Sequence, residues 1–205
     1  MGIGFLLLLL ALSLAFLLTK AESHTAQPLP VYAQVADFSL TNENGAVVSL
    51  ADLRGHVWVG DIIFTRCPGP CLRMTRQMKE LQDALSNNTQ TKLVSLTTDP
   101  DYDTPAVLKT YGVKNGADFT RWMFLTGTKK QLNNLAVDSL KLSAVEKKPE
   151  ERTSPEDLWV HSTIFVLVDK QGQLRAICQT GGEDVNWPAE KEKLLAAAKQ
   201  LEREP

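Results

Sequence analysis

Residues 56–71 read HVWVGDIIFTRCPGPC, running from His56 to Cys71, and the fold follows from this stretch. Between His56 and Phe64 the chain is almost continuously apolar and rich in β-branched and aromatic residues, as a strand buried on both faces should be. The strand runs straight into Cys67. From Cys71 onward, Met74, Met78, Leu81 and Leu85 recur at steps of three and four, which is one face of a helix. Gly69 and Pro70 stand at its start, and a first turn tolerates proline because its missing N–H has no partner there anyway. The pattern therefore places two cysteines between the end of a buried strand and the first turn of a helix.

Working outward, Asp37 to Leu40 and Val47 to Leu50 read as two short strands joined by a turn at Asn42 to Gly45. Lys92 to Leu96 and Trp122 to Leu125 are further strands. Thr104-Pro105 opens a helix that runs through Tyr111 and is closed by Gly112, and Thr128 with Gln131 makes a capping box for a helix towards Leu140. The polar, charged run 141–158 predicts a mobile loop. Val160 to Val168 is a strand, Gln171-Gly172 a hairpin turn, and Leu174 to Gln179 its partner. Pro188 to Glu204 closes the chain as a helix with Leu194, Ala198 and Leu201 inward. Alternating strands and helices followed by a hairpin and a last helix predict an α/β sheet covered on its faces. The order matches a thioredoxin-like core carrying an N-terminal β-hairpin extension and an inserted loop or hairpin near the cysteines.

The 205 residues are 43% hydrophobic and 22% charged, which suits one globular domain with an appendage. A formal net charge of -2 without a Lys/Arg block argues against nucleic acid as a partner. Residues 1–18 are leucine-dominated and apolar, close to the roughly 20 residues needed to cross a bilayer. No small-x-small cleavage site follows, so an uncleaved membrane anchor is expected, with the domain facing the periplasm or cell exterior. Residues 19–33, with Pro28 and Pro30, read as an extended linker, and the domain begins near Gln34. Asn87-Asn88-Thr89 fits a glycosylation acceptor, an isolated signal in this chain.

Three cysteines are too few for a disulfide scaffold, and the odd number leaves one thiol unpaired. Cys67 and Cys71 lie where helix N–H groups and the dipole stabilise a thiolate, with Arg66, Arg73 and Arg76 adding positive charge. Such a pair either forms a disulfide or binds a soft metal. Three intervening residues are one more than the usual dithiol oxidoreductase spacing, and no second cysteine pair completes a zinc site. Two thiolates and one imidazole suit copper, whose univalent form prefers soft sulfur. Of the three histidines, His24 lies in the linker and His56 starts the buried strand. His161 enters a hairpin strand that in a thioredoxin-like sheet lies beside the cysteine loop. Met74 and Met78 belong to the apolar helix stripe, and Cys178 alternates with Ala176 and Leu174 on one strand face, so all three read as core.

Asp37-Phe38-Ser39-Leu40, Phe64-Thr65-Arg66-Cys67-Pro68-Gly69-Pro70-Cys71, Thr98-Asp99-Pro100-Asp101-Tyr102-Asp103-Thr104-Pro105, Leu125-Thr126-Gly127 and Val160-His161-Ser162 occur in this order. The combination resembles the Sco/SenC family, membrane-anchored thioredoxin-like proteins implicated in maturing the binuclear copper site of cytochrome c oxidase. The resemblance implies copper as the metal and Cys67, Cys71 and His161 as its ligands. It also implies the copper-binding subunit of that oxidase, or another copper or thiol protein, as partner. Two departures stand out: Leu72 where relatives carry proline, and Val160 where they carry an acid. The second predicts that univalent copper is held well and divalent copper less well than in relatives. Asp99 and Asp103 match the family, but Asp103 also reads as a helix-start residue, and neither is assigned to the metal. A redox-active Cys67–Cys71 pair that reduces cysteines of a copper-receiving partner is the alternative reading. A peroxide-reducing enzyme fits less well, since no Thr-x-x-Cys motif occurs.

Overall fold

The computed structural model describes residues 27–85 and 90–205; the predicted anchor, His24 and the Asn87 acceptor pattern lie outside the described residues. At its centre is β4 (Trp58–Ile63), buried at every position as its unbroken apolar run requires. Beside it β5 (Lys92–Thr97) and β6 (Trp122–Thr126) run parallel, joined through α2 (Pro70–Ala84) and α3 (Pro105–Lys114). On its other side β9 (Ile164–Val168) and β10 (Gln173–Gln179) form an antiparallel hairpin. The sheet is completed by β1 (Ala33–Gln34) on β10 and by the hairpin β2 (Ser39–Asn42) and β3 (Val47–Ser49) on β6, in the order β1-β10-β9-β4-β5-β6-β2-β3. The mixed α/β class and the N-terminal hairpin agree with the sequence.

Both sheet faces are packed. Val59 and Ile63 meet Met74, Met78 and Leu81 of α2 and Leu194, Ala198 and Leu201 of α5 (Trp187–Arg203). Trp58, Ile62, Val94 and Leu96 meet Leu50 and Leu53 of α1 (Leu50–Leu53) and Leu132 of α4 (Lys129–Asn133) on the opposite face. Each such aliphatic side chain contributes roughly 1.5–3 kcal/mol by leaving water.

Five local expectations are corrected. The helix from Pro105 passes Gly112 and ends at Lys114, with Gly116 at φ 72° reversing the chain. Gly112 is small for another reason: a Cβ there would lie 2.6 Å from the Phe119 ring. The capping box forms as expected, with Gln131 N–H donating to Thr128 Oγ1 at 3.2 Å. Its helix, however, widens into a π-helical turn over Asn134–Ser139. Residues 141–158 are not simply a loop. They contain β7 (Ala144–Glu146) and a 3₁₀ turn (Pro149–Glu151), pinned by Lys147 to Asp157 at 2.7 Å. The strand expected over 160–168 is two: β8 (Trp159–His161) pairs with β7, and the chain breaks at Ser162 before β9 begins. Finally, a bulge between Leu174 and Ala176 places Leu174 on the opposite core face from Ala176 and Cys178. Arg175, at the bulge, turns inward to Asp169 (2.6 Å) and Glu204 (3.0 Å), and donates to the carbonyls of Leu29 and Pro30.

Candidate metal centre

The two cysteines occupy the loop that carries β4 into α2. Cys67 N–H donates to Phe64 O at 3.2 Å, so the chain turns immediately after the strand. Asp103 holds the loop from the side, accepting Thr65 N–H at 3.1 Å, the Thr65 hydroxyl, and Thr97 Oγ1 at 2.5 Å. This corrects its reading as a helix-start residue: Thr104 is the cap of α3, accepting from Val107 N–H at 3.4 Å. Arg66 donates to Asp99 at 2.7 Å, and its guanidinium lies 4.0 Å over the Tyr102 ring. Asp99 and Asp103 thus shape the cysteine loop and do not join the sulfurs.

His161 is brought to the sulfurs by the β7–β8 hairpin. Its Nε2 lies 3.0 Å from Cys71 Sγ, and its Nδ1 lies 3.0 Å from the Ser162 carbonyl oxygen. A carbonyl only accepts, so Nδ1 carries a proton and Nε2 is the ring nitrogen turned to the sulfurs. The Phe64 ring meets the imidazole edge to face, with centroids 6.0 Å apart. One donor atom from each of Cys67, Cys71 and His161 lies within 4.8 Å of the other two. Bonds of roughly 2.0–2.3 Å from thiolate and imidazole to one ion span such separations with little movement. The backbone acceptor behind Nδ1 fixes the ring as a metal ligand requires.

The two thiols are unequal. Cys71 donates towards Cys67, and this contact, with the amides of Cys71 and Gly69 and the His161 ring, holds Cys67 well below the ordinary thiol range. Burial, and then the charge on Cys67, push Cys71 up. Cys67 is therefore the thiolate and Cys71 keeps its proton. The expected support from arginines is corrected in part: Arg66 is engaged by Asp99, and the Arg73 guanidinium packs on Gly181. Because a depressed pKa preserves thiolate as pH falls, Cys67 should still alkylate readily at pH 6, where an ordinary thiol of pKa about 8.5 is more than 99% protonated. Cys178, pushed up to about 12 by burial, should stay unlabelled across the same range. Mass mapping of the alkylated sites at pH 6 and pH 8 checks this, and equal loss of Cys67 and Cys178 labelling at pH 6 would contradict it.

Met74 and Met78 are fully buried in the core, Cys178 is buried beneath α5 with its Sγ 3.7 Å from Glu190 O, and His56 bonds Gln90 O at 3.1 Å. None of the four joins the centre. Val160 alternates with His161 along β8 and is 58% exposed, facing away from the sulfurs opposite Val145. The loss of an acid there removes no inward-facing donor. Asp61, whose charge acts on Cys71 from outside the ligand group, is the residue that sequence inspection missed. It is wholly buried on β4, accepts from Ser95 Oγ at 2.6 Å, and burial pushes it up to about 7. A lone acid inside an apolar strand run was the available signal.

Residues 27–195 match the family described as SCO1/SenC. The chain belongs to that family. The SCO1 homolog of Bacillus subtilis is 36% identical over 147 residues, 71% of this chain and 73% of its own length. A protein of Stutzerimonas stutzeri named for copper binding is 32% identical over 149 residues, covering 72% of this chain and 70% of that one. BsSco, described with a disulfide switch and as a member of the Sco family of cytochrome c oxidase assembly proteins, superimposes with a TM-score of 0.71 at 27% identity. That superposition covers 87% of this chain and 100% of BsSco. The Sco neighbours bear out the thioredoxin-like class.

Proposed function

We propose that this SCO1/SenC chain is a metallochaperone that carries univalent copper on Cys67, Cys71 and His161 and delivers it to the copper-binding subunit of cytochrome c oxidase. The reading is carried by the convergence of two thiol sulfurs and one oriented imidazole nitrogen within 4.8 Å. Soft sulfur and low coordination number are what univalent copper prefers. Cys67 meets the ion already as a thiolate, and Cys71 gives up its proton as the second Cu–S bond forms. His161 Nε2, turned to the sulfurs, closes the third side. Among the described residues no carboxylate completes a fourth position. The reduced protein should bind one equivalent of Cu(I) in competition with a chromophoric chelator, and the Cys67–Cys71 disulfide form should bind none. Failure of the reduced protein to compete would end this reading.

The inequality of the two thiols supports a second reading, in which the pair reduces a disulfide of the receiving protein. Cys67 thiolate attacks a partner sulfur and releases one partner thiolate; Cys71, deprotonated, then attacks Cys67 and frees the second. Two electrons leave this chain as its own disulfide forms. We further propose that residues 1–18 anchor the domain at the outer face of the cytoplasmic membrane. The intact mass of the native protein should include these residues, and a mature N-terminus beyond Leu18 would contradict the anchor.

A further inference from the structure

A cavity of about 360 Å³ lies at the root of the β7–β8 hairpin, walled by Ile62, Leu132, Ala136, Ala144 and Trp159, with Lys130 at its rim. Clefts for small ligands begin at roughly this size, about 300 Å³. Among the described residues its lining contains two lysines and no acid. Lys129 leans to Asp101 at 2.7 Å, a pair exposed at 54% and 75% and so weakly held. Lys130 makes no ion pair among the described residues. An apolar chamber with an uncompensated cation at its mouth fits a ligand with an apolar body and one negative end.

The chamber is also linked to the candidate metal centre. Side chains alternate along β8, so Trp159 and His161 share one face of the hairpin, and Ala144 sits directly across from His161. The face that offers His161 to the sulfurs therefore offers Trp159 and Ala144 to the chamber. Among the described residues the hairpin pairs with no strand of the main sheet, so its position rests on side-chain packing. We infer that this cavity binds a small amphipathic monocarboxylate, and that its occupancy holds the hairpin down and with it His161 Nε2 against Cys71.

The coupling rests on the copper reading given above; the binding site does not. Filling the chamber should tighten copper binding, and by reciprocity copper should tighten the ligand. Hexanoate is the probe, with hexan-1-ol as its uncharged control, added to the full reduced chain. Hexanoate should shift the Trp159 indole N–H resonance saturably and leave that of Trp58 unmoved. It should bind about two- to fivefold more tightly than hexan-1-ol, the worth of one partly exposed ion pair, and Lys130→Gln should erase that preference. Saturating hexanoate should raise the affinity for Cu(I) by a similar factor. No saturable shift, or equal binding of acid and alcohol to the unaltered protein, overturns the site. A Trp159 shift with unchanged copper affinity overturns the coupling. A protein that binds hexanoate as expected but never binds copper sinks the metallochaperone reading and the coupling while leaving the site intact.

Discussion

His161→Ala should lower the affinity for Cu(I) by about 100-fold or more while leaving the Cys67–Cys71 disulfide able to form and be reduced. Altering a group that merely orients a ligand costs roughly 10–100-fold, and here the ligand itself is removed. The substitution takes away the nitrogen 3.0 Å from Cys71 Sγ and leaves two sulfurs, which univalent copper still accepts but holds less well. Disulfide exchange needs the sulfurs and a thiolate, and Cys67 keeps its main support from Cys71 and the amides of Cys71 and Gly69. Chelator competition on the reduced variant reads the first effect, and a glutathione redox titration reads the second. Copper held equally tightly without His161 would remove it from the ligand set, and a disulfide that no longer forms would mean that the imidazole organises the thiols as well.

Trp122→Ala should destabilise the domain by about 3–5 kcal/mol, the range for removing a large aromatic from a packed core. Trp122 is fully buried, stacks on Phe124 with centroids 4.9 Å apart, and donates its indole N–H to Ser95 Oγ at 3.0 Å. That same hydroxyl donates to Asp61, so the substitution opens a void and loosens a hydrogen bond to a buried carboxyl. Urea unfolding followed by circular dichroism measures the loss. Trp122→Phe keeps most of the volume and gives up the hydrogen bond, so it should fall between; a Phe variant as unstable as the Ala variant would mean that the Ser95 bond outweighs the packing.

Much of the centre was legible along the chain because its signals are local. The run from His56 to Phe64 needs burial on both faces, and the three- and four-residue steps after Cys71 can only form one helical stripe, so the strand, the helix and the placement of both thiols followed. The roles of Asp99 and Asp103 were not legible. A helix cap and a tether to a neighbouring loop use the same residue type, and only the positions of Thr65, Arg66 and Thr97 tell them apart. Likewise Val160 looked like a lost ligand until its alternation with His161 on an isolated hairpin turned it outward.

The sequence by itself determined the α/β class, the family and the two thiols at a helix start, since periodicity, capping and spacing act within a few residues of chain. Tertiary structure alone decided that residues 141–158 fold into a hairpin arm, that Leu174 and Cys178 part company across a bulge, that Gly112 is small because Phe119 lies on it, and that Cys67 rather than Cys71 is the thiolate. Each of these depends on which distant residues crowd a group, shield it from water or accept its hydrogen bond. Such free energies arise between segments far apart in the chain, as the 90-residue separation of Cys71 and His161 shows, and no local pattern records them.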